Sequence, residues 1–354
     1  MISRLAATNF RNLEPFAWDL EPGSHLLLGE NGAGKTSLLE AAYVASTTRS
    51  FRSARIADCR RLGSDRFELL AEAGEAGRIR LSVSWYEGNR HRAVNGSHTH
   101  LAEHLGVQPI VAWTAADVEA IKGEPKLRRR LLDRGVVSLR PGALDAITRY
   151  SRIAAEKRAA LLRGEEDLAV WNILLAQVGS AILLLRLAYF DQLRAAFLRQ
   201  LTESGIDLPE VDLEYRSSPR VTAETAEEAL LRALSEAEPV ERRRGMLLVG
   251  PHRDDLVLTL RRREVRHIAS AGERRALGML LAAAHGDVLE AAGLSPIYLL
   301  DDADAELSRR NLEQIWDRFH HRTQVIVSSS RPTVWKELPL DHRWEVSKGN
   351  LRAH

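Results

Sequence analysis

The stretch that decides the fold is Leu26-Leu27-Leu28-Gly29-Glu30-Asn31-Gly32-Ala33-Gly34-Lys35-Thr36. Its leucines predict a short buried strand, its glycines predict a loop, and the apolar spacing that continues to Tyr43 predicts a helix. The pattern G-x-x-x-x-G-K-[ST] over residues 29–36 is typical of a phosphate-binding loop between a strand and a helix. The stretch therefore predicts an α/β fold that binds a nucleotide.

The residue types of this loop suit the binding of phosphates. Glycine lets consecutive backbone N–H groups converge on one anion without a clash of Cβ atoms, and the start of the helix adds the positive end of its dipole. We expect Lys35 to reach the outer phosphates and the hydroxyl of Thr36 to bind Mg²⁺. The predicted nucleotide-binding residues are Gly29, Glu30, Asn31, Gly32, Ala33, Gly34, Lys35 and Thr36.

Composition restricts the class of protein. The single cysteine, Cys59, excludes an intrachain disulfide framework and a metal site made of several cysteines, and it fits a reducing, cytoplasmic compartment. No signal peptide is expected at the N-terminus. The most apolar segment, residues 181–190, is interrupted by Arg186 and is too short to span a bilayer, so no membrane partner is expected. The net charge of +2 does not by itself indicate nucleic acid.

The spacing of apolar residues changes along the chain. Residues 117–244 mainly predict helices, whereas the segments on either side alternate strands and helices, including a strand at 245–249. We therefore expect an α/β head, formed by residues 1–116 together with 245–354, that is split by a mainly helical insertion lobe at 117–244.

A second buried strand, Ile297–Leu300, ends in two carboxylates. Consecutive residues of a strand point to opposite faces, so Asp301 and Asp302 are expected to do different work. Asp301 is expected to coordinate Mg²⁺ beside Thr36, and Asp302 to orient or deprotonate the water that attacks the γ-phosphate. The alternative is an acidic strand end that caps the next helix; the phosphate-binding loop favours the functional interpretation.

A helix predicted at residues 270–283 begins with Ser270-Ala271-Gly272-Glu273. A serine cap and small residues leave its N-terminus open to a phosphate, although ordinary capping explains the same residues equally well. The order of phosphate-binding loop, distant Ser-x-Gly-Glu helix and carboxylate strand resembles the ABC-type ATPases. In that class Ser270 and Gly272 would complete the nucleotide site of a partner subunit.

Four further segments, which are distributed over nearly the whole chain, resemble motifs of the RecF family of SMC-like ABC-type ATPases. They are Asn9-Phe10-Arg11-Asn12, Asp117-Val118 through Gly123-Glu124-Pro125 with Arg129-Arg130 and Leu132-Asp133, Gly250-Pro251-His252-Arg253-Asp254-Asp255-Leu256, and Asp301-Asp302 through Glu306-Leu307. The resemblance implies an ABC-type P-loop ATPase head with a helical insertion lobe.

The resemblance also implies a function in recombinational repair and DNA replication. RecF-like proteins bind ATP with Mg²⁺, form an ATP-dependent homodimer, bind single-stranded and gapped DNA without sequence preference, and hydrolyse ATP slowly. They help RecO and RecR to load RecA and support the SOS response. If the roles of the family's motif residues apply to the matching residues here, Lys35, Thr36 and Asp301 hold Mg·ATP, and Asp302 serves hydrolysis. Ser270 and Gly272 cap the γ-phosphate of the partner.

Some residues leave alternatives open. Ser308 stands where the family usually has aspartate in its dimer loop, and Glu273 where many members have glutamine. Two basic clusters are candidates for DNA contacts or for solvated faces: Lys126, Arg128, Arg129 and Arg130, and Arg261, Arg262, Arg263 and Arg266. The alternative functions are a transporter ATPase subunit, a metabolic P-loop kinase and a structural clamp that binds ATP without hydrolysing it.

Overall fold

A computed structural model of the chain describes residues 1–74, 78–220 and 226–354. Its strands are β1 (Ile2–Thr8), β2 (Phe16–Asp19), β3 (Gly23–Leu28), β4 (Phe67–Ala73), β5 (Ile79–Tyr86), β6 (Asn89–Val94), β7 (Ser97–His98), β8 (Ile110–Trp113), β9 (Asp212–Arg216), β10 (Asp255–Leu260), β11 (Arg263–Glu264), β12 (Ile297–Leu300), β13 (Gln324–Ser329), β14 (His342–Ser347) and β15 (Asn350–Ala353). Its helices are α1 (Lys35–Thr47), α2 (Leu101–Val107), α3 (Ala115–Lys122), α4 (Pro125–Leu139), α5 (Ala143–Arg163), α6 (Ala169–Ser204), α7 (Ala226–Arg244), α8 (Val265–Ile268), α9 (Ala271–Ala291) and α10 (Arg309–Trp316).

The chain divides into two compact units. The first comprises Met1–Glu119, Ala196–Leu208 and Ala269–His354, and the second comprises Ala120–Ala195 and Pro209–Ile268. Each unit therefore contains segments that are far apart in the sequence.

These units differ from the predicted head and lobe at residues 117–119, which belong to the first unit, and at two longer segments. The end of α6 belongs to the first unit, where the side-chain amide of Gln200 donates to the carboxylate of Asp287 at 2.8 Å. Residues 245–268 belong to the second unit, where β10 pairs antiparallel with β9. Both differences come from long-range pairing, which local periodicity does not report.

The first unit contains two six-stranded sheets. One has the order β2-β1-β4-β5-β6-β7, with antiparallel pairing, and the other has the order β15-β14-β3-β13-β12-β8. In the second sheet β14, β3, β13, β12 and β8 are parallel. Residues of both sheets and of α1 share one hydrophobic core.

The parallel register brings the ends of three strands together. Leu28, the last residue of β3, lies opposite Ser329 of β13, and Leu300, the last residue of β12, lies opposite Val327. The phosphate-binding loop and the two carboxylates therefore start from the same edge of the sheet, the carboxyl edge at which α/β proteins bind ligands.

The second unit combines helices with the three-stranded antiparallel sheet β11-β10-β9. One core in this unit includes Tyr150, Leu175, Ile182, Leu230 and Leu234, contributed by α5, α6 and α7. These residues recur at the helical spacing from which the sequence predicts helices.

Within the described residues, α6 is the one helix long and apolar enough to cross a membrane by length and composition alone. Its most apolar window has a mean hydropathy of 1.9, and 56% of that window is buried inside the protein. The apolar helix is therefore longer than the segment 181–190, which the sequence analysis judged too short to span a bilayer, and more than half of its most apolar window is buried against the protein's own residues.

The prediction of a strand at residues 245–249 is wrong. Helix α7 continues to Arg244, and an irregular segment follows it. The N–H of Leu248 donates to the buried carboxylate of Glu241 at 2.6 Å, and the guanidinium of Arg253 donates to the carbonyl of Leu247 at 2.7 Å and 3.0 Å. Side chains thus bind the backbone groups that a neighbouring strand would otherwise bind.

Candidate functional site

The phosphate-binding loop connects the end of β3 to the start of α1. Gly34, the residue before α1, has a φ of 119°, in a region of backbone conformation that favours glycine. Gly29 has a different constraint, because a Cβ atom there would lie 2.2 Å from the carbonyl oxygen of Val346 in β14. One glycine therefore permits the backbone conformation of the loop, and the other permits close packing against the sheet.

Lys35 is held inside the loop. Its side chain is buried, and its ammonium donates to the carbonyl oxygens of Gly29 at 2.8 Å and Glu30 at 2.9 Å. An ammonium has three donors, so these two bonds leave a third for an anion. Together with the N-terminus of α1, Lys35 makes this loop suitable for a phosphate group.

Thr36 and Asp301 provide neighbouring oxygen atoms. The hydroxyl of Thr36 donates to Oδ1 of Asp301 at 2.9 Å, and Asp301 is only 8% exposed. Burial raises the pKa of the Asp301 carboxyl, and the hydrogen bonds from Ser328 and Thr36 oppose that rise. Hard oxygen ligands of this kind suit Mg²⁺, and its charge would stabilise the buried carboxylate. The residues present therefore fit the predicted cation.

Asp302 lies in a different environment from Asp301. Its side chain is exposed, its φ is 47°, and its backbone N–H donates to the hydroxyl of Ser328 at 2.9 Å. Asp301 is therefore buried beside Thr36, whereas Asp302 borders the open space in front of the loop. The two carboxylates diverge as expected, but through the turn that follows β12, in which Asp302 has a left-handed backbone, and not through the alternation of an extended strand.

An open cleft of about 950 Å³ adjoins the loop. Predicted residues that line it are Asn31, Gly32, Gly34, Lys35, Thr36 and Asp302. Arg60, Arg61 and Lys348, which no sequence motif singled out, also line it, together with Arg11 and Arg52. The carboxylates of Glu14, Asp58 and Asp302 also line the cleft, and Arg11 and Arg61 are paired with glutamates. Cations still outnumber carboxylates in this lining, which suits a polyanionic ligand.

The Asn9-Phe10-Arg11-Asn12 segment supports the loop from the N-terminal turn. The amide of Asn12 donates to the carbonyl of Gly32 at 2.9 Å and accepts from the hydroxyl of Ser37 at 2.8 Å. Arg11 makes two hydrogen bonds, of 2.8 Å and 2.6 Å, to the fully buried carboxylate of Glu40 in α1. The family motif was the only sequence signal for these contacts.

Ser270 and Gly272 lie at the start of α9. The hydroxyl of Ser270 accepts the N–H of Glu273 at 3.2 Å, and the Glu273 carboxylate accepts the N–H of Ser270 at 2.7 Å. This capping box accounts for glutamate at position 273 in place of the family's usual glutamine, because either side chain can accept the N–H of the cap residue. Neither Ser270 nor Gly272 is among the described residues that line the cleft of the same chain. Their role at a nucleotide stays a prediction.

Ser308 also has a structural role. It caps the N-terminus of α10, and its hydroxyl accepts the N–H of Asn311 at 3.2 Å. Serine and aspartate are among the favoured residues at such a cap. The departure from the family pattern therefore keeps the local structure of the helix start.

The Gly250-Pro251-His252-Arg253-Asp254-Asp255-Leu256 motif forms an ion-pair network within the second unit. Buried Asp254 accepts hydrogen bonds from Arg186 at 2.8 Å, from the N–H of Ser218 at 2.9 Å and from the hydroxyl of Tyr215. Burial raises the pKa of Asp254, and burial lowers the pKa of His252 to about 4. Removal of one partner from such a buried network would leave an uncompensated charge, so the motif has a structural role within this unit.

The same network uses part of the first basic cluster. Arg128 binds the carboxylate of Asp255 through two hydrogen bonds of 2.8 Å, and Arg129 donates to the carbonyl of Asp254 at 2.8 Å. Lys126 and Arg130 of that cluster are exposed. In the second cluster, Arg262 pairs with Glu210 and Arg266 with Glu264.

Known proteins with similar sequences match this chain over nearly its full length. The DNA replication and repair protein RecF of Acidothermus cellulolyticus is 32% identical in an alignment 369 positions long, gaps included, that covers 99% of each chain. The protein of the same name from Geobacter sulfurreducens is 34% identical in an alignment 364 positions long that again covers 99% of each chain. No protein-family model matches the chain.

Solved structures with the same fold also match this chain. The recombination mediator protein RecF with ATP, from the RecFOR pathway, has a TM-score of 0.87 at 23% identity and covers 100% of this chain and 97% of that chain. An SMC head bound to the C-winged helix domain of ScpA has a TM-score of 0.59 at 15% identity, with 100% and 97% coverage. The predicted fold class, an α/β ABC-type P-loop ATPase head with a helical insertion lobe, is confirmed by these matches.

Proposed function

The chain belongs to the RecF family, and on that premise we propose that it is an ATP-dependent DNA-binding protein of DNA replication and recombinational repair. The observation that carries the proposal is the meeting of Lys35, Thr36 and Asp301 at one edge of the parallel sheet. A RecF of the same fold has been solved with ATP, which supports ATP as the nucleotide.

All the residues that we assign to nucleotide binding lie in the first unit. The loop 29–36 binds the phosphates, with Lys35 on the outer ones, and Thr36 with Asp301 holds Mg²⁺, which neutralises phosphate charge. Asp302, exposed in the cleft, orients the attacking water. Hydrolysis is slow in this proposal, and the enzyme acts as a switch.

ATP joins two copies of the chain in this proposal. Ser270 and Gly272 of one copy close over the γ-phosphate that the other copy holds, which agrees with their absence from the described lining of their own cleft. A ligand that binds the dimer better than the monomer favours the dimer by mass action. Hydrolysis removes the shared γ-phosphate and therefore loosens the dimer.

The partners follow from the family. We propose single-stranded and gapped DNA, bound without sequence preference in the cytoplasm, with RecO and RecR as protein partners in RecA loading and the SOS response. A similar RecF is described in the RecFOR pathway. Exposed Lys126 and Arg130 in the second unit are candidates for contacts with backbone phosphates.

Nucleotide binding and dimerisation test the shared site. Lys35→Ala is expected to lose nucleotide binding and ATP-dependent dimerisation, because the phosphates lose their cation. Ser270→Arg is expected to bind nucleotide as a monomer, because the arginine blocks only the partner's site. Ser235→Arg, on an exposed position of α7, is the matched control and should dimerise normally. Normal ATP-dependent dimerisation of Ser270→Arg would contradict the shared site.

A salt series of DNA binding, with and without ATP, tests the polyanion partner. Affinity is expected to fall with salt, with a slope of about −0.7 per neutralised phosphate on single strands. The double variant Lys126→Gln/Arg130→Gln should lower that slope. ADP formation that requires a metabolite but not DNA would instead support a P-loop kinase, and co-purification with membranes a transporter subunit. Nucleotide binding and dimerisation without any hydrolysis would support the structural clamp.

A further inference from the structure

Helix α9 is attached to the peptide that carries the two carboxylates. The buried guanidinium of Arg275, which is 7% exposed, donates to the carbonyl oxygen of Asp301 at 3.0 Å and also to that of Asp302. Ser328 holds the same peptide through its hydroxyl, which donates to Oδ1 of Asp301 at 2.7 Å and accepts the N–H of Asp302 at 2.9 Å. The peptide is therefore held between the core sheet and α9.

A second contact joins the start of α9 to the segment after the carboxylates. A Cβ atom at Gly272 would lie 2.8 Å from the carbonyl oxygen of Glu306, so the first turn of the helix already packs against that backbone. Close-packed groups move together, because there is no free volume between them. The helix start and the carboxylate segment are thus connected at two points, Gly272 and Arg275.

The contacts of Arg275 are directional. A guanidinium presents donors in a rigid, planar arrangement, and here the donors reach backbone carbonyls rather than the carboxylate groups of Asp301 and Asp302. The connection therefore follows the position of the peptide and does not depend on what its carboxylates bind. Carboxylates of Glu306, Asp302, Asp304 and Asp301 supply compensating negative charge around this buried cation.

We propose that Arg275 is a positioning residue that couples the two nucleotide sites of the dimer. This inference rests on the proposed function, in which Asp301 and Asp302 serve the nucleotide of their own chain while Ser270 serves the partner's. Arg275 joins these two groups within one chain. A shift of the carboxylate peptide at one nucleotide therefore moves the helix start that faces the other, and the two sites act cooperatively.

Paired variants of adjacent arginines test the coupling. Arg275→Met removes the connection, whereas Arg274→Met removes the same charge from a guanidinium that donates to the carbonyl of Ala269, at the start of its own helix. Both variants keep every side chain assigned to the phosphates, so both are expected to fold and to bind nucleotide as monomers. Only Arg275→Met should weaken ATP-dependent dimerisation, by about tenfold, and lower the Hill coefficient of ATP hydrolysis towards one, since coupling between sites is commonly about 5- to 150-fold.

Two further variants keep the test decisive. Arg275→Lys retains a buried cation and should recover part of the cooperativity, a result that loss of packing alone does not predict. If Arg275→Met fails to fold in a thermal melt, Arg275→Gln, which is too short to reach both carbonyls, carries the same comparison. The inference is overturned if wild type dimerises on ATP and a folded Arg275→Met or Arg275→Gln is as cooperative as Arg274→Met. If wild type itself does not dimerise on ATP, the proposed function fails first, and the inference fails with it.

Discussion

The substitution Lys157→Met is expected to destabilise the second unit strongly. The ammonium of Lys157 in α5 lies 2.6 Å from Oε2 of Glu241 in α7, and both side chains are 0% exposed. The other carboxylate oxygen, Oε1, accepts the N–H of Leu248 at 2.6 Å. Removal of the lysine leaves a buried negative charge with one neutral donor, which cannot replace the lost ammonium.

The magnitude follows from the burial of both partners. Removal of one partner of a buried ion pair typically costs about 3–5 kcal/mol, because the remaining charge is uncompensated. Lys157→Met and Glu241→Gln should each reduce the free energy of unfolding by that amount. In the double variant no charge remains, and the glutamine oxygen still accepts the N–H of Leu248. The double variant should therefore lose only about 1–2 kcal/mol and be more stable than either single variant.

Urea denaturation at neutral pH measures this cycle. Hydrogen exchange of the α5 and α7 peptides assigns the loss to the second unit, which matters because a protein with two units need not unfold in one step. Arg163→Met is the matched control, since its pair with Glu165 is exposed and should be worth at most about 1 kcal/mol. The reasoning is refuted if a single variant loses less than about 1 kcal/mol, or if the two single losses simply add in the double variant.

Three further predictions concern a glycine, a histidine and a serine. Gly29→Ala places a methyl group against the β14 carbonyl, so it should lower the melting temperature and abolish nucleotide binding. Gly32→Ala is the control, because the space around its Cβ position is open. It should lose only about 1 kcal/mol of stability, the cost of a positive φ for alanine. Burial lowers the pKa of His252 to about 4 from 6.5, so the unfolded state binds more protons between these values. Stability should therefore fall by about 3 kcal/mol as pH drops from 6.5 to 4, and His252→Gln should reduce that slope in urea titrations at several pH values; an unchanged slope would contradict it. Ser328→Ala leaves the N–H of Asp302 without its acceptor and should cost about 1–2 kcal/mol in denaturant titrations, more than the same change at an exposed serine such as Ser235.

Local sequence signals determined the phosphate-binding loop and the carboxylate strand. The strand, the glycine-rich loop and the helix follow one another directly between residues 23 and 47, and they specify their own backbone because strand alternation and helical periodicity are local properties. The same holds for the mainly helical character predicted for residues 117–244, where the structure has α3 to α7. The capping box at Ser270 and Glu273 is local too.

Only the tertiary structure decided which distant residues support these elements. Asn12 reaches Gly32, Arg275 holds the peptide of Asp301, and Glu241 takes the backbone N–H that a strand at 245–249 would have used. The division of the chain into two units likewise depends on the pairing of β9 with β10, which are separated by a helix. A sequence records which groups can donate and accept hydrogen bonds, but a partner tens or hundreds of residues away is selected by the packing of the whole chain.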